Sequence, residues 1–172
     1  VSRDQNEVST ASGSDRVSLE CPALTREAIA AAALSLVDIP FKHHGRDESL
    51  GLDCAGVLVA AFAKLGVSLR EERIDYRRLP AEEHVVRCLE MNFQKLSAPT
   101  PISPVAVQEA DIVHLRFKRD TAARHLGIVV EGSSGLMLVH GVQRSERVLL
   151  EPFGAVLQNA TIAGVYSYPN LA

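Results

Sequence analysis

The sequence predicts an α+β domain, with helices first and an antiparallel sheet of about five strands after them. Three observations lead there. Thr25 precedes an apolar run reaching Val37, and Asp53 precedes another reaching Leu65, so both read as capped helices. From Asp111 onward the apolar residues alternate in short runs separated by Gly, Ser, Asn and Pro, as strands do. Helical segments followed by strands, without interleaving, give the α+β order.

In chain order, residues 1–24 open with a Ser-, Asp- and Asn-rich stretch that has no apolar period and reads as a poorly ordered arm, leaving 25–172 as one domain. A helix starts at Arg26 and ends before Pro40. Residues 41–53, with His43, His44, Gly45 and Gly51, form a loop. The next helix runs from Cys54 to about Leu65 and stops at Gly66. It is apolar nearly all round, so it is covered on most sides and only its first turn opens outward. Residues 69–78 mix charges and read as irregular; Pro80 starts an amphipathic helix with Val85, Leu89, Asn92 or Phe93, and Leu96 on one side. Residues 97–104 hold three prolines and suit a cleft-rimming loop. Strands are expected over 111–117, 125–131, 136–141, 147–152 and 162–168.

Composition bounds the function. A chain of 172 residues suits one domain with a proper core. A formal charge of -3, without a basic stripe, gives no nucleic-acid surface. The longest apolar runs fall well short of the roughly 20 residues that span a bilayer, and no charged-then-apolar leader signals export. Cys21, Cys54 and Cys88 are too few and too odd for a disulfide framework. No Cys or His spacing suits zinc, so no metal is expected.

Cys54 is the chemical focus. Asp53 as N-cap makes it the first helical residue, beside unpaired backbone N–H groups and the positive end of the helix dipole, which favour thiolate. Two histidines stand where strand alternation makes a definite statement. If 125–131 and 136–141 form a hairpin closed by Gly132-Ser133-Ser134-Gly135, an even loop pairs Glu131 with Leu136. His125 and His140 are then diagonal neighbours on one face, roughly 7 to 8 Å apart at the backbone, with Gly127 leaving room for the rings. A three-residue loop with a bulge at Gly135 would instead put the rings on opposite faces. In the even register the parts make a nucleophile (Cys54), a base (His125) and an orienter (His140), and the first N–H groups of the Cys54 helix offer an oxyanion hole. Cys88 reads as a small core residue, His84 as polar surface, His114 as packing or surface, and His43 and His44 as solvated loop residues.

The segments Ile39-Pro40-Phe41-Lys42-His43-His44-Gly45, Gly51-Leu52-Asp53-Cys54-Ala55-Gly56-Val57, Ala110-Asp111-Ile112-Val113, Arg124-His125-Leu126-Gly127-Ile128 and Val139-His140-Gly141 resemble, in order, the motifs of the NlpC family of cell-wall cysteine peptidases. The Phe-x-His-x-Gly and Leu-Asp-Cys-Ala-Gly stretches are similar to its phage-tail and gene-transfer-agent branch. The resemblance implies a papain-like fold and hydrolysis of an amide in peptidoglycan stem peptides, most often between γ-D-glutamate and a diamino acid, through a Cys54 thioester. It implies no cofactor, action at the bacterial cell wall, and phage-tail proteins as possible partners. Cys54, His125 and His140 match nucleophile, base and orienter. Asp53 matches an acid that in some relatives receives the free amine of the stem-peptide L-alanine. Phe41 and Ala55 stand at substrate-facing positions where relatives carry Tyr and Ser, and Ala110 where they carry Gly. The two lost hydroxyls motivate the alternative of a weak or inactive phage-tail domain that binds cell wall.

Overall fold

The computed structural model describes residues 22–70, 81–96 and 107–172. The expected arm up to residue 21, most of the irregular 69–78 segment and the proline loop at 97–104 lie outside them. Leu24, placed by the sequence in the arm, is buried and exchanges backbone hydrogen bonds with Asn170 and Ala172, so this residue is part of the fold.

Helix α1 (Arg26–Leu34) begins where Thr25 Oγ1 accepts from the Ala28 N–H, and it buries Ile29, Ala30, Ala32 and Ala33. A two-strand ribbon, β1 (Arg46–Asp47) with β2 (Gly51–Leu52), follows within the expected loop. Helix α2 (Cys54–Lys64) is capped by Asp53 and buries Gly56, Val57, Leu58, Ala60, Ala61 and Phe62. Its chain turns out through Gly66 at φ 76°, a backbone that glycine adopts without a Cβ penalty. Helix α3 (Glu82–Asn92) buries Val85 and Leu89 as its spacing requires, but it ends at Asn92, and Leu96 lies beyond it. No described helix is long and apolar enough to cross a membrane.

The sheet has six antiparallel strands, one more than expected: β3 (Gln94–Lys95), β4 (Ile112–Phe117), β5 (His125–Gly132), β6 (Gly135–Val142), β7 (Arg147–Pro152) and β8 (Ala160–Ser167), in the order β3-β8-β4-β5-β6-β7. The extra strand, β3, holds two residues, too few for alternation to register in the sequence. Between β7 and β8 a five-residue helix, α4 (Phe153–Leu157), inserts Phe153 and Val156 into the core.

Alternation along the strands separates two apolar clusters. Leu126, Ile128, Val130 and Val139 pack with α1 and α2, whereas Val113, Leu115, Val129 and Leu138 pack with Phe153 and Val156 of α4. Two polar contacts of Arg26 fix α1 to the segment leading into β4. Arg26 Nη1 bonds the wholly buried Asp111 carboxylate at 3.0 Å and also the Glu109 carbonyl. The Asp111 carboxylate in turn accepts from the Gln108 N–H, closing a turn in which Ala110 sits at φ 63°.

That left-handed conformation costs an L-residue about 1–2 kcal/mol. It explains why glycine is usual at this position in the family that the sequence resembles. Ala110→Gly is expected to stabilise the fold by about 0.5–1 kcal/mol after the extra chain entropy of glycine is subtracted. Denaturant unfolding of both proteins checks this; a destabilised variant would show that the turn is not strained.

Candidate active site

Asp53 builds the site's frame. Its Oδ1 accepts from the Gly56 N–H at 2.7 Å, capping α2, and from Arg46 Nη1 at 2.6 Å. Its Oδ2 accepts from the His44 N–H at 3.0 Å. The residue is 6% exposed. This carboxylate, expected to face substrate, is therefore engaged on both oxygens by the protein itself, although it does line the cleft beside the sulfur.

Close backbone approach brings the capped turn onto the sheet. A Cβ at Gly141 of β6 would lie 2.8 Å from the Asp53 carbonyl carbon and 3.0 Å from Cys54 N, and one at Gly56 would lie 2.0 Å from the Gly45 oxygen. Glycine at these two positions lets the tip of α2 meet both β6 and the loop before it. Cys54 is thereby held with its Sγ 3.9 Å from the Arg124 carbonyl.

The β5–β6 ladder pairs Glu131 with Leu136, the even register, and the turn between the strands is Ser133-Ser134. His125 and His140 accordingly share a face and meet: Nε2 of His125 lies 2.7 Å from Nδ1 of His140, with the rings nearly perpendicular. Phe117 packs edgewise on His125 from β4. A cleft of about 270 Å³ is lined by Cys54 and His125 together with Phe41, His43, Asp53 and Ala55.

Glu151 is a member that sequence reasoning missed. Because β6 pairs His140 with Leu149, Glu151 is diagonal to His140 on the same face, and its Oε2 lies 2.9 Å from His140 Nε2. A carboxylate only accepts hydrogen bonds, so it fixes the proton of His140 on Nε2. His140 Nδ1 is then an acceptor, which fixes the proton of His125 on Nε2 and leaves His125 Nδ1 as the basic nitrogen. The signal was present as an acid two residues beyond the position opposite His140, but it required the β6–β7 register.

Burial governs the charges. It pushes the Cys54 thiol up to about 12, with the Asp53 charge adding to it, while Arg46 and the N–H groups of Leu126 and Ala55 pull the other way. This corrects the expectation that the helix tip makes a thiolate: desolvation outweighs the backbone donors. Burial also lowers His125 to about 3, helped by His140 and His114. His140 is lowered by burial although Glu151 opposes it. The resting pair is a neutral thiol and a neutral imidazole.

The other histidines and Cys88 complete the comparison with sequence. His114 is buried, with Nε2 2.9 Å from the Ala123 carbonyl, and is a packing residue. His84 is half-buried and stands 3.7 Å from Cys88 Sγ. His43 and His44 are exposed, and His43 reaches the cleft.

In sequence, no family model and no curated protein matches the chain. In structure, it is similar to the NlpC/p60 domain of the peptidoglycan hydrolase SagA, at 17% identity and a TM-score of 0.56, over 84% of this chain and 99% of that one. The fold is that of NlpC/p60 domains. An N-acetylmuramoyl-L-alanine amidase from Bacteroides uniformis is similar at 13% identity and a TM-score of 0.57, over 83% and 98% of the two chains. An NlpC protein of Trichomonas vaginalis is similar at 13% identity and a TM-score of 0.58, over 87% of this chain and 48% of its own. The NlpC/p60 fold is the papain-like α+β arrangement expected from the motifs.

Two outcomes follow from the site. Glu151→Gln retains an acceptor for His140, whereas Glu151→Leu removes it; long-range proton–nitrogen spectra should show both rings as Nε2–H tautomers in the wild type and the Gln variant, and mixed tautomers in the Leu variant. Unchanged tautomers in Glu151→Leu would refute the relay. The second outcome is a pH effect on stability. His125, His140 and His114 all have lowered folded values, so the unfolded chain binds more protons below the ordinary histidine value, and stability should fall as pH drops through 6.5 toward 3. His125 alone accounts for about 2 kcal/mol between pH 7 and 5, so His125→Gln should flatten the decline by about that amount in denaturant titrations; an undiminished slope would contradict its burial as the cause.

Proposed function

We propose that this chain is a cysteine hydrolase that cleaves an amide bond in peptidoglycan stem peptides, most specifically that between γ-D-glutamate and the diamino acid. The observation that carries this reading is the 2.7 Å contact between His125 and His140, in a cleft shared with Cys54 at the tip of α2. The fold shared with a peptidoglycan hydrolase and an N-acetylmuramoyl-L-alanine amidase supports the substrate class.

In this reading Cys54 Sγ attacks the amide carbon as its proton passes to His125 Nδ1, and the N–H groups of the first turn of α2 receive the negative oxygen. The C–N bond then breaks, and the amine leaves with the proton from His125. Water adds to the thioester with His125 again as base, releasing the acid and restoring the thiol. Since the resting pair is neutral, proton transfer accompanies attack rather than preceding it. Phe41 and Ala55 line the cleft and offer the substrate no hydroxyl, so binding rests on shape and on other polar groups.

The raised proton affinity of the thiol favours one rival, a wall-binding domain of a phage tail with little turnover. Purified wild type, Cys54→Ala and His125→Ala should be compared on muropeptides by product chromatography. The peptidase reading expects release by the wild type and a loss of about 1000-fold or more in each variant. Wall binding with no release by any of the three would favour the rival.

A further inference from the structure

Arg124, the residue before the proposed base, lines the cleft, and its side chain has no partner among the described residues. Its carbonyl stands beside Cys54 Sγ, and the residue lines the cleft with Phe117, Asp120 and His125. The residue is half-buried, and its Nε is wholly buried with no hydrogen-bond acceptor. Among the described residues no carboxylate lies within ion-pair distance of it. The nearby acids are committed or remote: Asp53 pairs with Arg46 at 2.6 Å, Glu82 accepts from the Ala123 N–H at 3.0 Å, and Asp120 is exposed at the rim.

Such an arrangement costs stability. A buried guanidinium N–H without an acceptor forfeits hydration and gains nothing within the fold. Arginine presents a planar fork matched to a carboxylate, and in a partly desolvated cleft that pairing is stronger than at an open surface. We propose that Arg124 is a specificity-determining residue that receives a carboxylate of the substrate next to the bond being cut. This deepens the peptidase reading and rests on it for the identity of the peptide. A γ-linked D-glutamyl unit carries its free α-carboxylate on the same residue as the scissile carbonyl. Arg124 adjoins His125 in sequence, its carbonyl stands 3.9 Å from Cys54 Sγ, and the residue lines the same cleft, so a carboxylate on the residue that bears the scissile carbonyl is the group its guanidinium would meet. The chain is therefore selective for stem peptides whose γ-linked glutamate is a free acid over those in which it is the carboxamide.

Two synthetic peptides, L-Ala-γ-D-Glu-diamino acid and its α-carboxamide, separate the possibilities. The wild type should cleave the acid with a kcat/KM about 10-fold or more above that of the amide. Arg124→Gln should bring the two within about 3-fold by lowering the value for the acid alone, and Arg124→Lys should restore part of the preference. Thermal unfolding shows whether each variant is folded. Equal cleavage of both peptides by the wild type, or an equal loss on both in Arg124→Gln, overturns the proposal while leaving the peptidase reading standing. Binding to Cys54→Ala, followed by calorimetry with the same peptides, covers the opposite case. Arg124-dependent preference for the acid without turnover by the wild type upholds the proposal and removes the peptidase reading. No binding of either peptide, with no turnover, overturns both.

Discussion

The Asp53 carboxylate is the constraint on which the site depends. It caps the helix that carries Cys54, ties down the preceding loop through His44, and holds Arg46 of the short ribbon. An exposed acid could not do this with comparable effect, because its bonds would compete with water; at 6% exposure each lost bond would leave a poorly hydrated charge. Glycines at 56 and 141 then allow the capped turn to touch the neighbouring backbone. The position of the Cys54 backbone is thus set by backbone contacts and one carboxylate.

Rigid placement has an electrostatic consequence. A thiol packed against β5 and a histidine packed between Phe117 and His140 are both half-buried at the cleft, and their partial desolvation favours the neutral form of each. The helix tip acts on the sulfur, yet its donors are weaker than the loss of hydration. Reactivity in such a site comes from arrangement: an acceptor nitrogen fixed by tautomer, and N–H groups aimed at the position where oxyanion charge develops. A substrate that closes the cleft strengthens these interactions by excluding the remaining water.

Legibility in the sequence followed the range of the interaction. The caps at Thr25 and Asp53, the stop at Gly66 and the span of β7 are local, and the sequence showed them. The hairpin register was legible up to a choice between two loops, because Gly132 and Gly135 suit both, and pairing across the Ser133-Ser134 turn decided it. The ribbon β1–β2 and the strand β3 hold two residues each, below the length at which alternation is visible. The five-residue α4 lies in a segment with too few turns to show a helical period. Glu151 carried no local signal, since its partner is fixed by a second strand pairing. The isolation of Arg124 was invisible because a missing partner is a property of the whole fold.

The placement of Glu151 shows how the sheet supplies a charge to a dry site without burying it. Its side chain is 43% exposed, whereas that of His140 is 2% exposed, so the carboxylate keeps much of its hydration while its field and its lone pair act inward through one imidazole. Burying the carboxylate directly beside His125 would bring a desolvation cost of several kcal/mol. It would also raise the proton affinity of the histidine directly. One intervening ring avoids the first and weakens the second: His140 transmits orientation through two short hydrogen bonds and separates the negative charge from the nitrogen whose basicity matters. An antiparallel sheet provides that spacing readily, because diagonal neighbours on successive strands stand one imidazole apart.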